Sequence, residues 1–252
     1  MSWSRRDALS FGGGALLLGV AGGAALYGRG NPAMQFRPHS RLPGYRALVQ
    51  GGTGGGAALV GVGGGGGGAQ PVAPGPDALC AALFDPVPGK VPVAMFTDHR
   101  CAVCKAVEAD LFARAAGPDA RIALRVHNWP ALGGVSVPLA HAGEAARAQG
   151  PEAWRAMHDV LMTLRGRPSD ARLAKMAGDA GLDGDRLVAD MRAPRTVAAL
   201  AQSADLAWLF GFIGTPGLVF GRTSAVGALP PAVLEAILED AAESGPPPGC
   251  FA

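Results

Sequence analysis

Two periods of apolar residues divide the second half of the chain. Residues 91–96 form a short apolar run of the length of a buried strand. In 122–128, Ile122, Leu124 and Val126 alternate with polar or small residues, which predicts a second strand. Residues 217–220 predict a third, and 224–227 pairs with it through a turn at Gly221-Arg222. Between and around these strands the pattern turns helical. Residues 77–84 predict a short helix with Asp77 as N-cap. A helix over 105–115 is stopped by Gly117-Pro118. Helices over 137–149 and 152–164 are separated by Gly150-Pro151, and 169–180, capped by Ser169, is followed by 185–191. Residues 195–210 turn Val197, Leu200, Leu206 and Leu209 toward a core, and a last helix over 231–242 starts at Pro231. Residues 36–49 mix apolar and basic side chains and predict no element.

Cys101-Ala102-Val103-Cys104 falls where the strand 91–96 gives way to the helix 105–115. Two thiols at this spacing close into a small disulfide ring. The unpaired N–H groups and the dipole of a helix N-terminus favour a thiolate on the first of them. Cys101 is therefore the candidate nucleophile and the more exposed sulfur, with Cys104 shielded behind it. His99 and Arg100 are further candidates to steady the thiolate. His99, Cys101 and Cys104 also offer three ligands for a soft metal such as Cu(I) or Zn. No second CxxC or nearby His completes a four-ligand site, so redox chemistry is preferred and no metal is expected.

Composition narrows the folded part. Of the 252 residues 39 are Gly, and most of these fall in the first 90. Residues 51–76 carry an unbroken Gly63–Gly68 run and three prolines, which makes a flexible tether rather than a core. The domain layout read from this is a targeting segment over 1–30, a Gly/Pro-rich linker over 31–76 and a folded domain over 77–252. Arg5-Arg6 precedes an uncharged Gly/Ala-rich run over 11–28, similar to a twin-arginine export signal. The alternative is an uncleaved anchor, tethering the domain to a membrane through 11–28. The net charge of +2, from 22 basic and 20 acidic residues with no basic stripe, argues against a nucleic-acid partner.

The element order, strand–CxxC–helix–strand, a block of helices, then strand–strand–helix, is that of an α/β thioredoxin fold with a helical insertion, here over about 137–210. In that order the chain resembles the DsbA-like family of exported thiol–disulfide oxidoreductases. Four segments carry the likeness: 96–104 with the CxxC, 154–162 (Trp154 to Met162), 212–220 with Gly214-Thr215-Pro216-Gly217, and 226–230 before the last helix. The resemblance implies a cis Thr215–Pro216 bond beside the disulfide, where the Thr215 backbone pairs with an extended substrate. It implies a protein disulfide oxidoreductase in the periplasm, soluble or membrane-anchored, that needs no bound cofactor. Its partners are cysteine-containing exported polypeptides and a redox partner that resets the dithiol. The chain departs from the family at Ala102-Val103, where strong oxidants carry Pro-His, and at Met95, where several relatives carry a buried carboxylate.

Cys80 and Cys250 flank the domain, and spacing leaves them either a structural staple or two independent cysteines. His158 and Asp159 are expected on a helix surface or core edge, and His39, His127 and His141 have no evident partner. Three other functions stay open: a reductase or isomerase acting through the same thiols, an exported copper- or metal-handling protein, and a thioredoxin-fold binding module without catalysis.

Overall fold

The structure, a computed structural model, describes residues 34–49 and 70–250. The targeting reading of 1–30 and most of the glycine-rich stretch lie outside the described residues. Six strands and eight α-helices are described. The strands are β1 (Phe36–Pro38), β2 (Arg46–Leu48), β3 (Val91–Thr97), β4 (Ile122–Asn128), β5 (Gly217–Phe220) and β6 (Thr223–Val226), in one sheet of order β1-β2-β6-β5-β3-β4. β3 is buried along its whole length. It pairs parallel with β4 and antiparallel with β5, and a strand enclosed in this way reads as a continuous apolar run. The Gly221 turn, at φ +52°, returns β5 into β6.

Helix α1 (Pro76–Leu83) precedes β3, and α2 (Ala102–Ala115) links β3 to β4. Five helices then intervene before β5: α3 (Ser136–Ala146), α4 (Pro151–Leu161), α5 (Asp170–Asp179), α6 (Gly184–Asp190) and α7 (Pro194–Leu209). The first four, α3 to α6, enclose their own apolar cluster, which includes Leu139, Met157, Leu161, Leu173 and Leu187. A second cluster joins α1, β3, β5 and the end of α7 through Leu83, Phe96, Val219 and Leu209. Helix α8 (Pro231–Glu243) closes the chain and begins at its proline. Among the described residues no helix is long and apolar enough to cross a membrane.

Three local readings are corrected. Residues 36–48, placed in the linker, form a hairpin whose β2 strand adds parallel to β6 at the sheet edge. Its strands have three residues each, too few to show an alternation. Arg46 anchors the hairpin by donating from Nε to Thr223 Oγ1 at 2.9 Å, pairing with Asp240 and lying over the Phe36 ring. Asp77 is not the N-cap of α1; Gly75 is, with Pro76 at the first helical position. Helix α2 begins at Ala102 rather than 105, inside the CxxC.

Candidate functional site

The start of α2 explains the geometry of the dithiol. Cys101 has extended backbone (φ −78°, ψ 113°) and is itself the N-cap. Its sulfur accepts the Cys104 N–H at 3.2 Å, as a Ser or Asp oxygen does at an ordinary helix start. The two cysteines form a disulfide with Cα atoms 5.3 Å apart. Cys101 is 9% exposed and Cys104 is fully enclosed, so an incoming thiolate meets Cys101 first. When the bond opens, the charge left on Cys101 faces the helix N-terminus and at least one N–H already aimed at it.

The loop before β5 reaches the same sulfur. The Thr215 carbonyl oxygen lies 3.5 Å from Cys101 Sγ, and the Thr215–Pro216 bond is cis. The Pro216 carbonyl accepts the Gly227 N–H at 2.8 Å, fixing this loop to the end of β6. The register that pairs Phe96 with Gly217 brings the loop beside the β3–α2 junction. Cys101, Cys104, Thr215 and Pro216 are thus gathered from positions more than a hundred residues apart. Val103, in the first turn of α2, and Ile213, in the loop before β5, are apolar side chains at the surface, 47% and 56% exposed.

Arg100 is engaged elsewhere, and His99 packs against His158. The His99 ring is buried, its centroid 5.0 Å from that of His158, and burial holds its pKa well below the usual value, aided by His158 and Arg147. Arg100 donates from its guanidinium to the Leu164 carbonyl at 2.9 Å. Asp98, also buried, accepts the backbone N–H groups of Arg100 and Leu132, each at 2.8 Å, and so shapes the loop into the motif. Among the described residues no three His, Cys, Asp or Glu side chains are arranged to hold a metal ion.

Sequence reasoning missed a buried pair next to the dithiol. His158 is not at a helix surface; it is fully enclosed and donates from Nε2 to Glu108 Oε2 at 2.9 Å. Asp159, its neighbour, faces outward and pairs with Arg155. The four-residue step from Cys104 to Glu108 on one helix was the available signal, because it puts both on one face. The other histidines also find partners. His39 and His141 donate to the carbonyls of Phe210 and Met191, at 3.1 and 2.7 Å. His127 donates to the Leu83 carbonyl at 2.9 Å and stacks on Phe96. Cys80 and Cys250 are bonded to each other, with Cα atoms 5.5 Å apart.

Comparison with known proteins agrees with this geometry. Residues 119–239 match the family model described as DSBA-like thioredoxin domain. No curated protein sequence matches the chain. Among solved structures it is similar to a thioredoxin-like oxidoreductase from Silicibacter pomeroyi DSS-3, at 30% identity and a TM-score of 0.56, covering 66% of this chain and 99% of that one. It shares its fold with the thiol-disulfide exchange protein alpha-DsbA2 from Wolbachia pipientis (23% identity, TM-score 0.56, 67% and 90% covered). It also shares it with a periplasmic thioredoxin-like protein from Salmonella enterica serovar Typhimurium (23% identity, TM-score 0.52, 65% and 95% covered). With a helix-capping disulfide on this fold, and a relative of that identity spanned almost end to end, the chain belongs to the DsbA-like family of thioredoxin-fold protein disulfide oxidoreductases.

Proposed function

We propose that this protein exchanges disulfides with exported, cysteine-bearing polypeptides through Cys101 and Cys104. The observation that carries the proposal is the Cys101 sulfur, bonded to Cys104, seated at the N-terminus of α2 and 3.5 Å from the Thr215 carbonyl. A client thiolate attacks Cys101, the Cys101–Cys104 bond breaks and Cys104 leaves. The client's second thiolate then displaces Cys101, so two electrons pass from client to enzyme. The backbone of Thr215, before the cis Pro216, offers main-chain pairing to an extended client, and Val103 and Ile213 offer it apolar contact. A second thiol–disulfide protein resets the dithiol.

Export is the second part of the proposal. Residues 1–30 act as the address, and the glycine-rich stretch 51–69 acts as a tether to the folded domain. Arg5-Arg6 before 11–28 supports this reading, as does a second disulfide, Cys80–Cys250, of the kind that persists in oxidising compartments such as the periplasm. Direct exchange with a dithiol peptide tests the site. Cys101→Ser should reduce exchange to the rate without protein, while the double variant Cys80→Ser, Cys250→Ser should retain it. Full exchange by Cys101→Ser would sink the assignment and favour a binding module.

One observation favours the reductase or isomerase direction. Ala102 and Val103 bring no charge and no side-chain donor to the Cys101 thiolate, so its stabilisation comes from the helix end and the Cys104 N–H. The weaker this stabilisation, the weaker the oxidant. A reduction potential nearer the −270 mV of thioredoxin than the −120 mV of a strong oxidant is expected against glutathione.

A further inference from the structure

The surroundings of Cys101 have two sides. On one, the Thr215 carbonyl lies 3.5 Å from the Cys101 sulfur. On the other, the Leu132 N–H donates to Asp98 Oδ2 at 2.8 Å, and the Arg100 guanidinium donates to the Leu164 carbonyl at 2.9 Å. These two bonds draw residues 129–138 and 162–170 up to the loop that carries the dithiol. An open cleft of about 530 Å³ continues between the same two segments, lined by Gly134, Val137, Pro138, Arg167 and Met191 among others. Gly134 is two residues from Leu132 and Arg167 three from Leu164, so the cleft opens within about 11 Å of the bonds that hold the segments. A client extended across Cys101 reaches it within a few residues.

Charge on this face is one-signed. The segments bordering the dithiol are 98–105, 129–138, 162–170, 211–217 and 227–230. Their exposed or half-buried charged side chains are Arg100, Lys105, Arg165, Arg167 and Asp170. Asp98 is buried, with both carboxylate oxygens accepting backbone N–H groups, and His99 is held neutral by burial. Asp170 is paired with Arg192. Among the described residues none of the four cations is paired with a carboxylate. The whole chain carries a net charge of only +2, so these four positive charges exceed the excess of the entire protein. Val135 and Val137 add exposed apolar surface at the cleft side.

We propose that the protein selects clients whose cysteines are flanked by acidic residues; this rests on the reading of Cys101–Cys104 as the reacting dithiol. A client lies with its main chain along Thr215 on one side of Cys101 and runs over Arg100 toward Arg165, Arg167 and the cleft on the other. Its Asp or Glu side chains meet the four cations, and an apolar side chain further along enters the cleft against Val137, Pro138 and Met191. The field of the cations raises the rate of encounter, and the guanidinium forks of the three arginines match a carboxylate on docking. A client with Lys or Arg at the same positions is repelled, so the surface rejects as well as attracts. The exchange balances without a further reactant: two client thiols become a disulfide, and the Cys101–Cys104 disulfide becomes two thiols.

The test uses the oxidised full chain and two dithiol peptides, identical except for Glu or Lys on both sides of each cysteine. Each oxidation rate is divided by the same peptide's rate with hydroxyethyl disulfide, an uncharged reference, which removes the intrinsic reactivity of its thiols. The Glu peptide should react on the order of 10-fold faster than the Lys peptide at about 20 mM salt, and the preference should fade toward about 0.5 M as the charges are screened. Arg165→Gln together with Arg167→Gln should lower the preference to about 3-fold, since half of the cations remain. Both side chains are exposed, and the salt dependence is read on the unaltered protein, so the answer does not hang on the variant's folding. Equal rates, a faster Lys peptide, a preference that salt leaves unchanged, or one that the double variant keeps in full would overturn the proposal. Oxidation of neither peptide would instead defeat the dithiol reading beneath it.

Discussion

Gly217 sets the distance between the cis-proline loop and the core. A Cβ there would come 2.5 Å from the Phe212 ring, and that ring is packed against Phe96 and Phe210. Gly217→Ala should therefore destabilise the fold by about 1–3 kcal/mol and displace the loop carrying Thr215, seen as a lower denaturant midpoint together with slower exchange. A midpoint equal to that of the unaltered protein would mean that Phe212 moves aside freely. Two buried histidines set the response to acid. Burial pushes His127 down to about 3 and His99 well below its usual value. Both stay neutral in the fold, whereas in the unfolded chain they take up protons below about pH 6.5. The unfolded state then binds more protons, so the stability they contribute is intact above pH 6.5 and declines as pH falls toward 3. The limiting slope is about 1.4 kcal/mol per pH unit for each group. Denaturation measured from pH 7 to pH 4 should show the decline, and His127→Gln should make it shallower; an equal slope in both proteins would contradict the assignment.

Elements with long periodic patterns were legible in the sequence, and those defined by distant partners were not. The run 91–96 and the alternation of Ile122, Leu124 and Val126 correspond to β3 and β4, because a seven-residue strand buried on one or both faces must show it in its side chains. The hairpin β1–β2 had no such signature. Its six paired residues include Arg37, Pro38 and Arg46, and it is held by Thr223 and Asp240 from the far end of the chain. The same limit hid the Glu108–His158 pair: the pattern of α4 tells which way His158 faces only once α2 is known to pack there. The hairpin also covers the edge of β6, whose N–H and C=O groups would otherwise be free to pair with another chain. A chain beginning at Pro76 should accordingly be less stable and should self-associate. Light scattering checks this, and a monomer of unchanged stability would show the hairpin to be dispensable.

At the scale of the molecule, Cys80 and Cys250 join α1 to the C-terminal segment across 170 residues. Sequence spacing left this pair open, because the chain ends meet only through the fold. The bond lies among Leu42, Tyr45, Leu79 and Leu83, so it ties the hairpin, α1 and the C-terminal segment into one cluster. Opening it with Cys80→Ala and Cys250→Ala should cost about 2–5 kcal/mol, read by denaturation, without removing exchange at Cys101. The staple and the disulfide proposed to react thus differ in setting: one is buried in a core, and the other caps a helix beside the Thr215 carbonyl. The measurement that tests the central claim most directly separates them chemically. Cys104→Ser, which cannot release a bound client, is mixed with a disulfide-bearing peptide, and the trapped adduct is mapped by mass spectrometry. The account predicts one peptide per chain, bonded to Cys101. An adduct on Cys80 or Cys250, or none at all, would contradict it.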